Sequence, residues 1–209
     1  MGVEQILVVP RSELLATCPL QGFCPDPVRV SHFLDLVVAH GRFVPRWPAE
    51  EDEALKQIVP YGVVRHAGEF FLFRRGRQGQ EAGLRGRWSV GLGGHVNPAD
   101  SAAIGPAMLE RALQRELEEE VTLDRPSMAL WGVLNDDTDP VGRRHLGFVY
   151  RVEVGSPTAA SREPGKIAGD FVSLSTVLAG REEMESWSRL TVDAWIAAGA
   201  AADSRTGVV

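Results

Sequence analysis

Glu116, Glu119 and Glu120 stand at positions i, i+3 and i+4 of the run Arg115-Glu116-Leu117-Glu118-Glu119-Glu120-Val121. On a helix, at roughly 100° per residue, they fall within about a quarter-turn of one face. Like charges that close repel, at a few tenths of a kcal/mol per pair. A solvated acidic face normally points away from the core, and glutamate runs are commonly of that kind. Here the apolar stripe is Leu109, Leu113, Leu117 and Val121, and Glu116 and Glu120 lie at its edge. Carboxylates clustered beside a core call for a cation, and an all-oxygen set suits hard Mg²⁺ or Mn²⁺.

About twenty residues upstream, Trp88-Ser89-Val90-Gly91-Leu92-Gly93-Gly94-His95-Val96-Asn97-Pro98 reads as a strand end breaking into a glycine-rich loop. Such a loop lets backbone approach a ligand closely. Joined to the acidic helix, it resembles the box of the Nudix hydrolases: Gly, five residues, Glu, seven residues, then Arg-Glu-U-x-Glu-Glu-x-Gly-U, with U a bulky aliphatic. Gly94 fits the first glycine; Arg115, Glu116, Leu117, Glu119 and Glu120 fit the central group, and Leu123 the last aliphatic. Three departures stand out. Asp100 replaces the first Glu. Fourteen residues separate it from Arg115, so Ser101 to Met108 reads as a loop insertion around Ile104-Gly105-Pro106. Thr122 replaces the closing glycine; a β-branched residue is a poor choice for φ > 0, so the helix should leave by another route. The segments Gly132 to Asp137, Val141 to Tyr150, Tyr61 to Arg75 and Glu185 to Ser188 extend the resemblance over roughly residues 60 to 195, toward a bacterial subgroup of Nudix phosphohydrolases.

The resemblance implies an α+β chain with the Nudix α/β/α sandwich and a mixed sheet. It also implies hydrolysis of a nucleoside-diphosphate-type linkage by water attack on phosphorus. Metal ligation falls to Glu116, Glu119 and Glu120, with the Gly94 carbonyl, and Mg²⁺ is the expected cofactor, with Mn²⁺ as an alternative. Glu120 and Glu119 would organise catalysis, with Glu120 the economical general base and Glu163, Asp136 and Asp137 as outside candidates. Arg115 would hold a box carboxylate; Asp100 would pair with the helix or orient a water. Arg75, Gly93, Gly94 and His95 are the substrate-side candidates. Plainer readings stand beside the functional ones: Arg74, Arg75 and Arg77 as a solvated strand end, His95 as a loop histidine, Asp136-Asp137 and Asp139-Pro140 as turn formers. Two other functions compete. One is a Nudix-fold nucleotide sensor without turnover, which usually loses box carboxylates. The other is isopentenyl-diphosphate isomerase, which needs a cysteine near the site, whereas Cys18 and Cys24 lie far outside it.

The elements that must position these residues can be read coarsely. Gln5 to Val9 is a strand; Thr17 to Asp26 is turn-rich; Val30 to Ala39 is helical, with Ser31 as N-cap and Gly41 as stop. Phe43 to Glu53 reads as loop. Ile58 to Arg65 and Glu69 to Arg74 form a hairpin through His66-Ala67-Gly68. Gln78 to Arg85 is a polar loop, Met128 to Leu134 and His145 to Val154 are strands, and Asn135 to Arg144 is an acidic loop between them. Val154 to Gly169 is a long loop, Phe171 to Leu174 a strand, and Ser175 to Ala179 and Met184 to Ala198 are helices. Residues 1–58 are expected as an N-terminal extension packed on a catalytic domain of residues 59–199, with 200–209 a flexible tail.

Composition excludes some classes. A net charge of −6 argues against nonspecific nucleic-acid binding. No apolar run approaches the roughly 20 residues of a membrane span, and the start lacks a signal-peptide pattern. A cytoplasmic location with reduced thiols at Cys18 and Cys24 is therefore expected. The expected partner is a small nucleotide-type diphosphate, with no nucleic acid and no membrane; a homodimer is left open.

Overall fold

A computed structural model of the chain describes residues 3–75, 86–162 and 166–206, with only the backbone described at Arg75 and at 200–206. The N-terminal part comprises β1 (Gln5–Pro10), α1 (Arg11–Leu15), β2 (Gly22–Cys24), α2 (Pro27–His40), β3 (Arg42–Pro45) and α3 (Arg46–Ala49). Next come β4 (Leu55–His66), β5 (Glu69–Arg75), β6 (Trp88–Ser89), β7 (Gly91–Gly93), a 3-10 turn at Pro98–Asp100 and α4 (Pro106–Glu120). The chain continues through β8 (Val121–Leu123), β9 (Ser127–Asn135), α5 (Pro140–Arg144), β10 (His145–Glu153), β11 (Ala159–Ser161) and β12 (Ile167–Val172). It closes with α6 (Leu174–Ala179), a 3-10 turn at Arg181–Glu183 and α7 (Ser186–Thr206).

One mixed sheet runs β12-β5-β4-β10-β9-β2, with β1 and β7 also paired to β4, β3 to β1 and β6 to β5. β4 and β10 are parallel, His145 opposite Gln57 through Glu153 opposite Arg65. Their period-2 alternation sorts the side chains into two cores. Ile58, Val64, Leu146, Phe148, Tyr150 and Val152 join Leu109, Leu113 and Leu117 of α4 and Phe33 and Val37 of α2. Tyr61, Val63 and Val149 turn the other way, toward Val192 of α7 and the half-buried Trp187 and Trp195. Helices therefore cover both faces, an α/β/α sandwich of the α+β class. The β4–β5 hairpin turns on Ala67 and Gly68, both at positive φ (45° and 94°), the geometry of a two-residue primed turn.

The N-terminal strands are woven into this sheet. Ile6, Leu7, Val8 and Val9 of β1 are fully buried, and Val8 pairs with Gln57 of β4. β2 lengthens the opposite edge, Phe23 against Leu134. The stretch expected to be turn-rich thus contains a strand, and the stretch expected to be loop contains β3 and α3. These pieces are short and proline-flanked, so pairing rather than local periodicity makes them. Helix α2 begins at Pro27, earlier than expected, because Asp26 is the N-cap: its carboxylate accepts from the amides of Val28 and Arg29, and proline fits the first turn. The long loop after β10 holds β11, and β12 starts four residues before Phe171 because its register against β5 runs from Ile167 opposite Arg75. α7 continues to Thr206 rather than stopping at Ala198, through an alanine-rich run of high helix propensity.

Candidate active site

The glycine loop and α4 meet beside the middle of β4. β7 pairs with β4, Gly93 opposite Tyr61, and a Cβ on Gly93 would sit 2.1 Å from the Pro60 carbonyl oxygen. A Cβ on Gly94 would sit 2.4 Å from the Glu116 carboxyl carbon. Glycine at 94 is thus what lets the first box carboxylate seat against the loop backbone. The insertion is non-helical: after the 3-10 turn, 101–105 carry no helix, and α4 opens with Pro106 in its first turn, as the spacing predicts.

Arg115 ties the pieces together. Its Nε donates to Asp100 Oδ1 at 2.8 Å and its Nη2 to Asp100 Oδ2 at 3.1 Å. Nη2 also donates to the His95 carbonyl at 2.9 Å, and Nη1 to Glu116 Oε1 at 2.6 Å. Asp100, whose side chain is only 3% exposed, also accepts from the Asn97 amide at 2.7 Å. The carboxylate therefore pairs with the helix and pins the 3-10 turn to α4. Its hydrogen bonds hold the Arg115 guanidinium pKa above the ordinary arginine value, against the opposing effect of burial. Burial raises the Glu116 carboxyl pKa, with Arg115 working against it.

The three box carboxylates share one helix face but differ in setting. Glu116 is seated on the loop, Glu120 is buried, and Glu119 is 58% exposed with its Oε1 3.6 Å from Arg115 Nη1. Among the described residues, no three His, Cys, Asp or Glu side chains are grouped closely enough to hold a metal by themselves. The donor set nevertheless fits a hard divalent cation in kind: carboxylates beside a glycine backbone, one disfavoured in its charged form by burial and stabilised by added positive charge. The closing glycine of the box is dispensable because α4 passes straight into a strand. Val121 is extended at φ −140°, ψ 154°, and Thr122 pairs with Ala160 of β11.

Other candidates fall elsewhere. His95 Nε2 lies 2.7 Å from Gln57 Oε1; burial first, then His145, Arg46 and Arg115, lower its pKa to about 3, so the ring is neutral. Arg74 lies over Trp88 at 4.5 Å and binds Glu183 at 2.6 Å. The side chains of Arg75 and Arg77, the loop from Gln78 to Arg85, and Glu163 lie outside the described residues. Asp136 and Asp137 are engaged by protein. Asp136 Oδ1 accepts from Gln21 at 3.0 Å and from the Thr138 hydroxyl at 2.7 Å. Asp137 takes Arg11, Asn135 and, at 2.8 Å, the ammonium of fully buried Lys56. Lys56 Nζ also donates to the carbonyls of Gly142 and His145. The acidic loop is a structural knot closed by α5, whose first turn Asp139 caps. Periodicity gives no signal for Lys56, Arg11 or Gln57. A lysine in a strand is expected at the surface, and its partner lies 81 residues away. Cys18 and Cys24 are free thiols.

A glycine loop seated on a carboxylate-bearing helix, on a mixed sheet covered by helices on both faces, defines a class. The model of the NUDIX domain matches residues 56–194. The chain belongs to the Nudix family, a family of pyrophosphohydrolases that generally use divalent metals. Protein YmaB of Bacillus subtilis (strain 168) is 32% identical over 198 residues, 91% of this chain and 96% of that protein. The crystal structure of Tm1382, a Nudix hydrolase candidate, superposes with a TM-score of 0.79 at 26% identity, covering 92% of this chain and 98% of that one. At the level of fold alone, DR0079 from Deinococcus radiodurans has a TM-score of 0.50 at 20% identity over 72% of this chain and 89% of its own. Among the described residues, no helix is long and apolar enough to cross a membrane.

Proposed function

We propose that the chain hydrolyses a diphosphate linkage in a nucleoside-diphosphate-type substrate, with Mg²⁺ or Mn²⁺ at Glu116, Glu119, Glu120 and the Gly94 carbonyl. The observation that carries this reading is the Glu116 carboxylate seated against Gly94, where a Cβ would be 2.4 Å away. When bound, the cation supplies charge neutralisation at the phosphoryl oxygens and acidifies a coordinated water. The protein's own residues supply position. Arg115 and Asp100 hold the glycine loop against α4, so that loop and helix present their oxygens as a unit. Glu120 would accept the proton of the attacking water, and Glu119, 58% exposed, would offer a further carboxylate oxygen to the cation. Gly93, Gly94 and His95 border the diphosphate. Arg75, at the end of β5, is the cationic candidate for the same group.

The test is a panel of nucleoside di- and triphosphates, nucleotide sugars, dinucleoside polyphosphates and isopentenyl diphosphate, with Mg²⁺ or Mn²⁺ and with a chelator. Metal-dependent phosphate release from at least one nucleotide diphosphate is expected. No release from any member, together with a melting shift on one nucleotide, would instead favour the sensor.

A further inference from the structure

Gln57 lies on β4, outside the box, with its backbone clamped on both sides: Val8 of β1 pairs with it antiparallel and His145 of β10 parallel. Its side chain is fully buried. The amide nitrogen Nε2 donates to the Ala49 carbonyl at 3.0 Å. That carbonyl can only accept, so it fixes which way the amide faces. The remaining atom, Oε1, can only accept, and it lies 2.7 Å from Nε2 of His95. The imidazole must therefore carry a proton on Nε2. His95 is in turn the residue after Gly94, and its own carbonyl is held by Arg115 at 2.9 Å. The short segment from Gly94 to His95 is thus gripped from two directions, by the box arginine through the main chain and by Gln57 through the ring.

We propose that Gln57 is a positioning residue: by locking His95 as the Nε2–H tautomer, it holds the Gly94 backbone where the box carboxylates can share a cation with it, and through Ala49 it ties that site to α3. This rests on the metal-site reading above. The physical basis is that partners orienting a metal's immediate ligands contribute about 10- to 100-fold in affinity. β4 is the rigid element from which such support is effective, since both of its neighbours are paired at this register.

The experiment uses the full chain and Mn²⁺ alone as the probe. Two-bond proton–nitrogen correlation at neutral pH, with His95 assigned by loss of its signal in His95→Ala, should show the Nε2–H tautomer. Calorimetric titration should give Mn²⁺ binding to Gln57→Leu about tenfold weaker than to wild type, with kcat largely recovered at saturating Mn²⁺. A residue that merely supports the fold would not show that recovery. His95→Ala should weaken Mn²⁺ to a similar degree, and it decides the matter if Gln57→Leu does not fold. A wild-type Nδ1–H tautomer, or variants that bind Mn²⁺ as tightly as wild type, overturns the proposal. Wild type that binds no Mn²⁺ instead overturns the metal-site reading beneath it.

Discussion

At the residue scale, the Asp137 carboxylate lies 2.8 Å from the ammonium of Lys56 in the interior. Asp137 thereby neutralises a lysine with 0% side-chain exposure, a role that neither reading of the sequence, turn former or outside candidate for the general base, points to. Lys56 lies in a strand whose neighbours are set by long-range pairing, so no local pattern marks it as buried. Asp137→Asn leaves that ammonium without its counter-charge and should cost roughly 3–5 kcal/mol of stability, read by urea unfolding. The pH dependence carries a sign. Burial raises the Asp137 pKa, but hydrogen bonds from Arg11, Lys56 and Asn135 outweigh it and hold the group near 2, below its ordinary 3.8. Its contribution is therefore present above pH 3.8 and is lost as the pH falls from 3.8 toward 2. For Lys56, burial wins over Asp137 and lowers the pKa from 10.5 to about 8. Between those values the unfolded chain binds more protons, so this group makes stability rise with pH from about 8 to 10.5. Unfolding midpoints of wild type and Lys56→Met across that window check it: the rise should be absent in the variant.

At the element scale, α4 and its two ends were the most legible part of the chain. The carboxylate spacing, the stripe of Leu109, Leu113 and Leu117, and Gly105-Pro106 before them specify a helix start and a buried face, and both are found. Asp26 was the missed signal for α2, because Ser31 competes as a cap inside a continuous apolar pattern. β2, β3 and α3 leave no readable period, being three or four residues each and held by partners. Thr122 is where a family expectation and local physics diverge. Since its backbone is in a strand paired with Ala160, Thr122→Gly should not restore a better box but destabilise the chain by about 0.5–1 kcal/mol, measured by denaturant midpoint. A gain in stability would show that the helix exits through a left-handed residue after all. Gly94→Ala tests the other end. A methyl would lie 2.4 Å from the Glu116 carboxyl carbon, so that carboxylate must leave the loop. Melting without metal should change little, while the stabilisation given by added Mg²⁺ should fall or vanish.

At the scale of the whole molecule, strands before Leu55 share one sheet with the Nudix segment. β1 contributes four fully buried side chains and pairs with β4, and Arg11 of α1 reaches Asp137. A chain starting at residue 54 should therefore fail to give a cooperatively melting protein, as followed by circular dichroism and calorimetry. A cooperative transition near that of the full chain would show the N-terminal segment to be dispensable. Whether the box glutamates work with a divalent cation to split a diphosphate is decided by metal-dependent turnover of Glu120→Gln, on whichever substrate wild type cleaves fastest. The substitution keeps the size of the side chain and removes its charge and basicity. The kcat should fall by roughly 10²–10⁴, melting without metal should hold or rise slightly because a like-charge repulsion is relieved, and Mg²⁺ should stabilise the variant less than wild type. A Glu120→Gln enzyme with wild-type kcat and an unchanged Mg²⁺ response would contradict it.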